Sequence, residues 1–357
     1  MTTDVTSGPA DGPEPTASVR RITDDLLERV EHRLRSFLTA EHTRFAEVDE
    51  RAATVLTTLS DLVTSGGKRI RPAFCLTGYL AAGGDLEDPG IVSAAAGLEM
   101  LHVSALIHDD VVDNSTQRRG KPTMHTAFAQ HHTRHTWRGE ARRYGEGMAI
   151  LIGDLALVYS DQLMAHAPTG LLPEWHHLRS EVQVGQCLDV TAAAEFAVDP
   201  RLSRLIALIK SGRYTIHRPL VMGAAGAGRP DLAAAFAEYG EAVGEAFQLR
   251  DDLLDAFGDS AQTGKPAGLD FSQYKMTLLL GWAMQRDEHI RTLMTEPGHT
   301  PDEVRRRLLD TGVPDDVERH IADLVERGRK AIADAPIDPA WRTELADMAV
   351  RVTYRNS

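Results

Sequence analysis

Asp-Asp-x-x-Asp occurs twice in this chain, as Asp109, Asp110 and Asp113 and again as Asp251, Asp252 and Asp255. In a helix the first and last aspartates of such a motif share one face, and the middle one sits about 100° away. Like charges four residues apart repel. Both copies also close a long apolar, alanine-rich stretch, so they fall where the helix macrodipole is already negative. Carboxylates crowded against both effects need a compensating cation. Hard oxygen donors in this number suit Mg²⁺, held jointly by carboxylates and by phosphates of a ligand. One such motif alone reads as a solvated helix end. Two of them, about 140 residues apart on matching apolar helices, read as paired metal sites.

Basic residues supply the other half. Lys68 and Arg71 lie in "GGKRIRP" (66–72), a glycine-rich loop running into a helix N-terminus. Backbone N–H groups and the dipole favour an anion there. Arg118 and Arg119 follow the first acidic motif, and Lys210, Lys265 and Lys275 stand near helix ends or in the loop after the second. Arginine grips phosphate through two parallel hydrogen bonds, lysine as a point charge. Singly, each is a solvated surface charge. Together with two acidic motifs they imply a diphosphate clamped between Mg²⁺ and Lys/Arg. The surrounding helices are apolar, so the rest of the ligand is hydrocarbon.

The elements that must position these groups are helices. Aromatics make up only 6% of the 357 residues, while Ala, Leu, Gly, Arg and Glu abound, which favours helix over sheet. Amphipathic patterns cover 21–64 until Gly66-Gly67 break them. Pro72 suits the first turn of the next helix, which ends at Gly83-Gly84. Asp88 and Pro89 form an N-cap and first-turn pair for the long helix that carries the first acidic motif. Further helical stretches include "MAILIGDLALVYSDQLMAH", "WHHLRSEVQVGQCLDVTAAAEF" and "PRLSRLIALIKSGRYTIHRPLVMGAAGAG". Pro230-Asp231 opens the helix of the second motif, "DSAQTGKPAGLDFSQYK" is a loop, and helices with breaks near Pro297, Pro314, Pro336 and Pro339 follow from about Met276. No useful apolar/polar alternation and no interior linker occur, so one all-α domain spans 21–357 behind a disordered tail at 1–20.

A formal charge of −13 without a basic stripe excludes nucleic acid as the main partner. We expect no membrane span, finding no unbroken apolar run of 18 residues, and the N-terminus is no secretory signal. Cys75 and Cys187 make neither a disulfide framework nor a zinc cluster, which fits a reducing cytoplasm.

The chain resembles the trans-isoprenyl diphosphate synthases of the polyprenyl synthetase family, and is most similar to bacterial geranylgeranyl diphosphate synthases. The resemblance covers roughly 25–355. It is carried by "GGKRIRP", "LIHDDVVDNSTQRRGKPTMH" (106–125), "GD" (153–154), "GQCLD" (185–189), "KSGRYTIHRPL" (210–220), "FQLRDDLLD" (247–255) and "GKPAGLDFSQYK" (264–275) in that order. Ser211 departs slightly, because the family more often has Thr there.

The resemblance implies an isoprenoid synthase helical bundle around a central apolar cavity, working as a homodimer. Asp109, Asp113 and Asp251 would coordinate Mg²⁺ around an allylic diphosphate (dimethylallyl, geranyl or farnesyl), supported by Asp110, Asp252 and Asp255. Arg118, Lys210, Gln248, Lys265 and Lys275 would touch that diphosphate. Lys68, Arg71, His102 and Arg119 would hold isopentenyl diphosphate, with Ser211, Gln186 and Asp189 lining the site.

In this family, bulky aromatics one turn below the first motif stop chain growth near C15. Here Ala105 and Ser104 stand at those places. The next large side chains, Leu101 and Met100, lie roughly 6 Å further down, about one more isoprene unit. The expected product is therefore C20, geranylgeranyl diphosphate, with Tyr159 or Met164 on a facing helix as further candidates for the floor; C15 and C25 or longer stay open. The small residues also fit ordinary helix packing.

Rival readings leave features unexplained. His108-Asp109 resembles the His-Asp pair of metal-dependent phosphohydrolases, which does not account for the second motif. A terpene cyclase usually replaces that motif and lacks an isopentenyl site. A non-catalytic partner subunit typically loses one motif. The histidines at 131, 132 and 135 read as a surface helix or loop.

Overall fold

The computed structural model describes residues 15–118, 120–258, 268–295 and 300–355, with 15–18 in backbone only. Helix α1 runs Pro15–Ala46 and α2 Glu50–Thr64. Residues 15–20, assigned above to a tail, therefore belong to a helix, and 1–14 lie outside the described residues. Then come α3 (Ile70–Ala81), α4 (Pro89–Val112), α5 (Met124–Arg134), α6 (Ala141–Met164), α7 (Leu172–Glu195), α8 (Pro200–Ile206), a π-helical stretch (Ala207–His217), α9 (Arg218–Gly226) and α10 (Ala233–Phe257). The C-terminal part adds α11 (Leu269–Ser272), α12 (Leu278–Arg286), α13 (Glu288–Thr295), α14 (Pro301–Asp310), α15 (Val313–Ala333) and α16 (Pro339–Thr353). The breaks expected near Pro314 and Pro339 fall just before them, after Asp310 and Ala333, and each proline sits in the first turn of the next helix, where its missing N–H costs nothing.

The all-α expectation holds. Among the described residues the only strands are β1 (Gln117–Arg118) and β2 (Lys121–Pro122), an antiparallel pair with Arg118 opposite Lys121. Gly120, at φ 72°, takes the left-handed backbone this turn requires.

Helix α4 is the axis of the fold. Asp88 caps it by accepting a hydrogen bond from Gly90 N at 2.7 Å, with Pro89 in its first turn. Every residue from Gly90 to Leu101 is buried. By length and composition α4 and α6 could each cross a membrane, with mean hydropathies of 1.6 and 1.2, which corrects the expectation that no such segment exists. Small and weakly polar residues such as Ser93 and Gly97 interrupt the apolar run without lowering its average much. Of the α4 window 83% is buried inside the protein, as a central bundle helix requires, against 44% for α6.

Helix α6 packs antiparallel to α4. A Cβ on Gly97 would lie 3.1 Å from Ser160 O and 3.2 Å from Met164 Cε, while at the other end one on Gly153 would meet the His108 ring. Helix α10 packs on the π-helical stretch and on α15. Gly212 and Gly244 face each other there: a Cβ on Gly244 would sit 2.7 Å from Gly212 Cα. This glycine contact brings Lys210 and Ser211 against the last two turns of α10, which carry Gln248 and the second acidic motif.

Gly244→Ala should therefore push the π-helical stretch off α10, lowering stability by about 1–3 kcal/mol, the usual cost of overpacking. Chemical denaturation checks this; an unchanged midpoint would show that the contact is loose.

Candidate active site

Both acidic motifs sit where the sequence placed them, at the C-terminal ends of α4 and α10. Asp113 is the C-cap of α4, its N–H donating to Asp109 O at 2.8 Å. The middle aspartates turn inward, as the 100° offset requires. Asp110 is buried and accepts hydrogen bonds from Arg118, Nε at 3.0 Å and Nη2 at 2.8 Å. Asp252 is also buried and accepts one from Gln248 Nε2 at 2.8 Å.

The outer aspartates meet cations across the cleft. Asp109 lies 3.6 Å from Lys210 Nζ and 3.6 Å from Arg118 Nη2, and accepts a hydrogen bond from Gln186 Nε2 at 3.3 Å. Lys210 Nζ also donates to Asp189 at 2.5 Å. Lys275 Nζ donates to Asp113 at 2.6 Å and stands 3.8 Å from Asp270. Asp270 N in turn donates to Asp255 Oδ2 at 3.1 Å. The sequence Asp113–Lys275–Asp270–Asp255 thus joins one motif to the other. Asp251 pairs with Arg355, whose guanidinium lies 3.9 Å over the Phe247 ring.

The electrostatics follow from this crowding. Burial, then the charge of Asp109, pushes the Asp113 carboxyl above the usual range against the pull of Lys275. Burial, then Asp270, raises Asp252 well above it. Burial works against the charge of Lys210 and Lys275, yet the carboxylates around each carry its pKa above the ordinary lysine value.

Two cavities meet at Ser211. The smaller, about 100 Å³, is lined by Asp189, Lys210, Gln248, Asp252, Asp270 and Lys275 among others. The larger, about 610 Å³, is walled by Gly66, Gly67, Lys68, Arg71, His102 and Phe247, with Asp251 and Arg355 at one side. Arg71 donates to Thr215 Oγ1 at 2.9 Å and lies 4.2 Å over the Tyr214 ring. The Tyr214 hydroxyl and His102 Nδ1 are 3.5 Å apart. Burial pushes that phenol up to about 12, so it stays protonated at neutral pH.

Of the residues singled out in the sequence, the structure brings together Asp109, Asp110, Asp113, Arg118, Gln186, Asp189, Lys210, Ser211, Gln248, Asp251, Asp252, Asp255 and Lys275, with Lys68, Arg71 and His102 around the second cavity. Arg119 and Lys265 lie outside the described residues. His108 instead faces Asp154 at 3.4 Å and Ile150 O at 3.2 Å. The rings of His131 and His135 stack at 4.1 Å beside Trp137, which is exposed.

Sequence reasoning missed Arg355, Asp270 and Gln273, whose Nε2 donates to Asp113 O at 3.0 Å. Asp270 and Gln273 lie inside "GKPAGLDFSQYK" and could have been found there. Nothing near Arg355 flags it.

The donor set fits a hard divalent cation: carboxylates in excess, held close, with no thiolate or imidazole among them. Among the described residues no three such groups yet converge to hold an ion. Lys210, Lys275, Arg118 and Arg355 occupy their oxygens instead. The ammonium and guanidinium groups supply the positive charge that these crowded carboxylates require.

The polyprenyl synthetase family model matches residues 53–308. A short chain isoprenyl diphosphate synthase of Methanothermobacter thermautotrophicus is 32% identical, the match covering 70% of this chain and 73% of that protein. A farnesyl diphosphate synthase of Geobacillus stearothermophilus is 33% identical over 66% of this chain and 77% of its own. Names among the relatives run from farnesyl to nonaprenyl diphosphate synthase. A crystal structure of a Corynebacterium glutamicum geranylgeranyl pyrophosphate synthase, complexed with isoprenyl diphosphate and magnesium, superposes with a TM-score of 0.87. It is 35% identical and covers 93% of this chain and 99% of its own.

Lys275→Met should strand Asp113 and Asp270, lowering metal-free stability by about 3 kcal/mol or more. Added Mg²⁺ should then raise the melting temperature of the variant more than that of the parent protein. An equal rise in both would show that the lysine does not stand in for a metal.

Proposed function

The chain belongs to the polyprenyl synthetase family and is a prenyltransferase, and from that premise we propose that it condenses isopentenyl diphosphate with an allylic diphosphate, using Mg²⁺, to make geranylgeranyl diphosphate. One observation carries the reading. Lysines bridge the two acidic motifs, Lys210 at Asp109 and Lys275 between Asp113 and Asp270, and the cavity beside them meets a second, basic one at Ser211.

In this reading Asp109, Asp113 and Asp251 hold Mg²⁺, and the allylic diphosphate seats among Lys210, Lys275, Gln248 and Arg118. When bound, Mg²⁺ neutralises the departing diphosphate, so that the allylic C–O bond ionises. Lys210 and Lys275 then move from carboxylate to phosphate. Asp110, pinned by Arg118, and Asp252, pinned by Gln248, hold the two helix ends in register. Lys68, Arg71 and His102 hold isopentenyl diphosphate in the larger cavity, so its double bond faces the allylic carbon past Ser211. The proton lost on condensation passes to the departing diphosphate. Apolar walls along α4 keep water from the cation.

Product length follows from the shaft between α4 and its neighbours. Ala105 and Ser104 are the side chains of the first turn below Asp109, and neither is bulky. Leu101 and Met100 come next, near the level of Tyr159, whose ring packs edge-on against Phe37 at 5.1 Å. Helices α4 and α6 are in contact at Gly153 beside His108 and again at Gly97, twelve residues or about 18 Å below Asp109, so the length rests on the side chains between, Leu101 and Met100. This supports C20.

The outward face of α6 leaves Leu151 and Val158 mostly exposed, which supports a homodimer through that helix. The free thiols of Cys75 and Cys187 support a reducing, cytoplasmic setting.

Incubation with labelled isopentenyl diphosphate, Mg²⁺ and dimethylallyl, geranyl or farnesyl diphosphate should yield a C20 diphosphate. A cyclised hydrocarbon, or no product, would overturn the reading; a C15 or C25 product would move only the floor. Asp109→Ala and Asp251→Ala should each lower kcat by roughly 100-fold or more while the protein still melts cooperatively; near-normal rates in both would refute the metal assignment. Ala105→Phe should shorten the product.

A further inference from the structure

We propose that Arg69 is a positioning residue for the isopentenyl diphosphate cavity: it holds Lys68 and Arg71 in place by locking their loop to the helix of the first acidic motif. The inference rests on the reading of that cavity given above and adds a part to it.

Three cationic side chains follow one another in "KRIR", and the structure treats them differently. All three border the cavity, but only the Arg69 guanidinium is committed to protein partners on three helices. Arg69 is buried, and each nitrogen of its guanidinium has a protein partner. Nε pairs with Glu31 of α1, Nη1 with Glu99 of α4, and Nη2 donates to Val63 O in α2 at 2.7 Å. With all three nitrogens engaged, its fork is not offered to a diphosphate. Three helices hold it instead.

The backbone shows what the clamp does. Arg69 lies at φ 47°, ψ 39°, in the left-handed region, at the N-cap position of α3 and without a side-chain capping bond. A non-glycine residue stays there only when its surroundings over-determine it. The clamp does so, and the turn lets Lys68 end the loop on the cavity while Arg71 starts the helix on the same cavity.

Glu99 ties this to the chemistry. It lies one turn from His102 and ten residues from Asp109 on α4, so the basic wall and the first acidic motif share one rigid frame. Glu99 is itself buried at the cavity edge. Without Arg69 its carboxylate would face the incoming diphosphate and repel it. The clamp therefore acts first on the substrate of this cavity, whose wall it borders.

The test is steady-state kinetics of the full chain with each substrate varied in turn, beside calorimetric binding of isopentenyl diphosphate without metal. Four proteins are compared: the parent, Arg69→Lys, Arg69→Gln/Glu99→Gln and Glu31→Gln. The double variant removes one carboxylate with the cation, and Glu31 is partly exposed, so Glu31→Gln keeps the fold if the Arg69 variants lose it. We expect the KM for isopentenyl diphosphate to rise by roughly 10- to 100-fold in the Arg69 variants, as for a small misplacement of binding groups. The rise should be smaller in Arg69→Lys and least in Glu31→Gln. The KM for the allylic diphosphate should hold, and direct binding of isopentenyl diphosphate should weaken in parallel. An unchanged KM for isopentenyl diphosphate in the folded variants overturns the proposal, and so does an equal loss for both substrates. A parent protein that condenses neither substrate overturns the reading of the cavity itself, and the clamp with it.

Discussion

Carboxylates forced together at the C-terminal ends of two helices are the constraint on which this structure turns. Each end already carries the negative pole of its helix, and burial takes away the water that would otherwise screen the charges. Such an arrangement stands only if positive charge is brought to it from elsewhere. Lys210 comes from the π-helical stretch, Lys275 from the segment before α12, Arg118 from the short hairpin and Arg355 from beyond α16. Much of the tertiary architecture can be understood as delivering those four cations. The paired glycines Gly212 and Gly244 bring Lys210 to α10. The hairpin turn at Gly120 folds Arg118 back eight residues onto Asp110.

The same cations make the site ready for a charged ligand without leaving it strained in its absence. A buried carboxylate with no partner is costly, so a cleft designed only for bound metal would be unstable without it. Here the lysines carry that burden, and in the proposed reading a diphosphate with its cations would exchange one set of ion pairs for another. The larger cavity is built on a different rule. Its wall carries Lys68 and Arg71, and between them Arg69 is neutralised by Glu31 and Glu99.

Much of this was legible in the sequence because the signals are local. Twin Asp-Asp-x-x-Asp motifs, Asp88-Pro89 at a helix start and the glycine break before Lys68 each declare themselves within a few residues. What stayed hidden is set by packing between distant segments. Arg355 lies 104 residues from Asp251, and nothing near it in sequence records the contact. The π-helical register of 207–217 looks like ordinary helix in its residue pattern; the glycine contacts at Gly185 and Gly212 that press on it come from α7 and α10. Arg69 was seen as part of a basic motif, but only the fold separates it from its neighbours. The apolar character of α4, enough by composition for a membrane, reflects its burial inside the bundle.

Chemistry and product length are separable in this architecture, and the reason is geometric. The acidic motifs sit at the C-terminal ends of α4 and α10. In the proposed reading the hydrocarbon would extend the other way, down α4, where the side chains carry no formal charge until Glu99, already paired with Arg69. In that reading the floor would be shared, with Leu101, Met100 and Gly97 from α4, Tyr159 and Met164 from α6, and Phe37 from α1 packed against Tyr159. Substitutions on any of these three helices can raise or lower that floor without touching an aspartate. Relatives named for products from farnesyl to nonaprenyl diphosphate are what such a division allows. It also places the proposed C20 product on a few apolar side chains, whose packing is independent of the ion pairs that make the reaction possible.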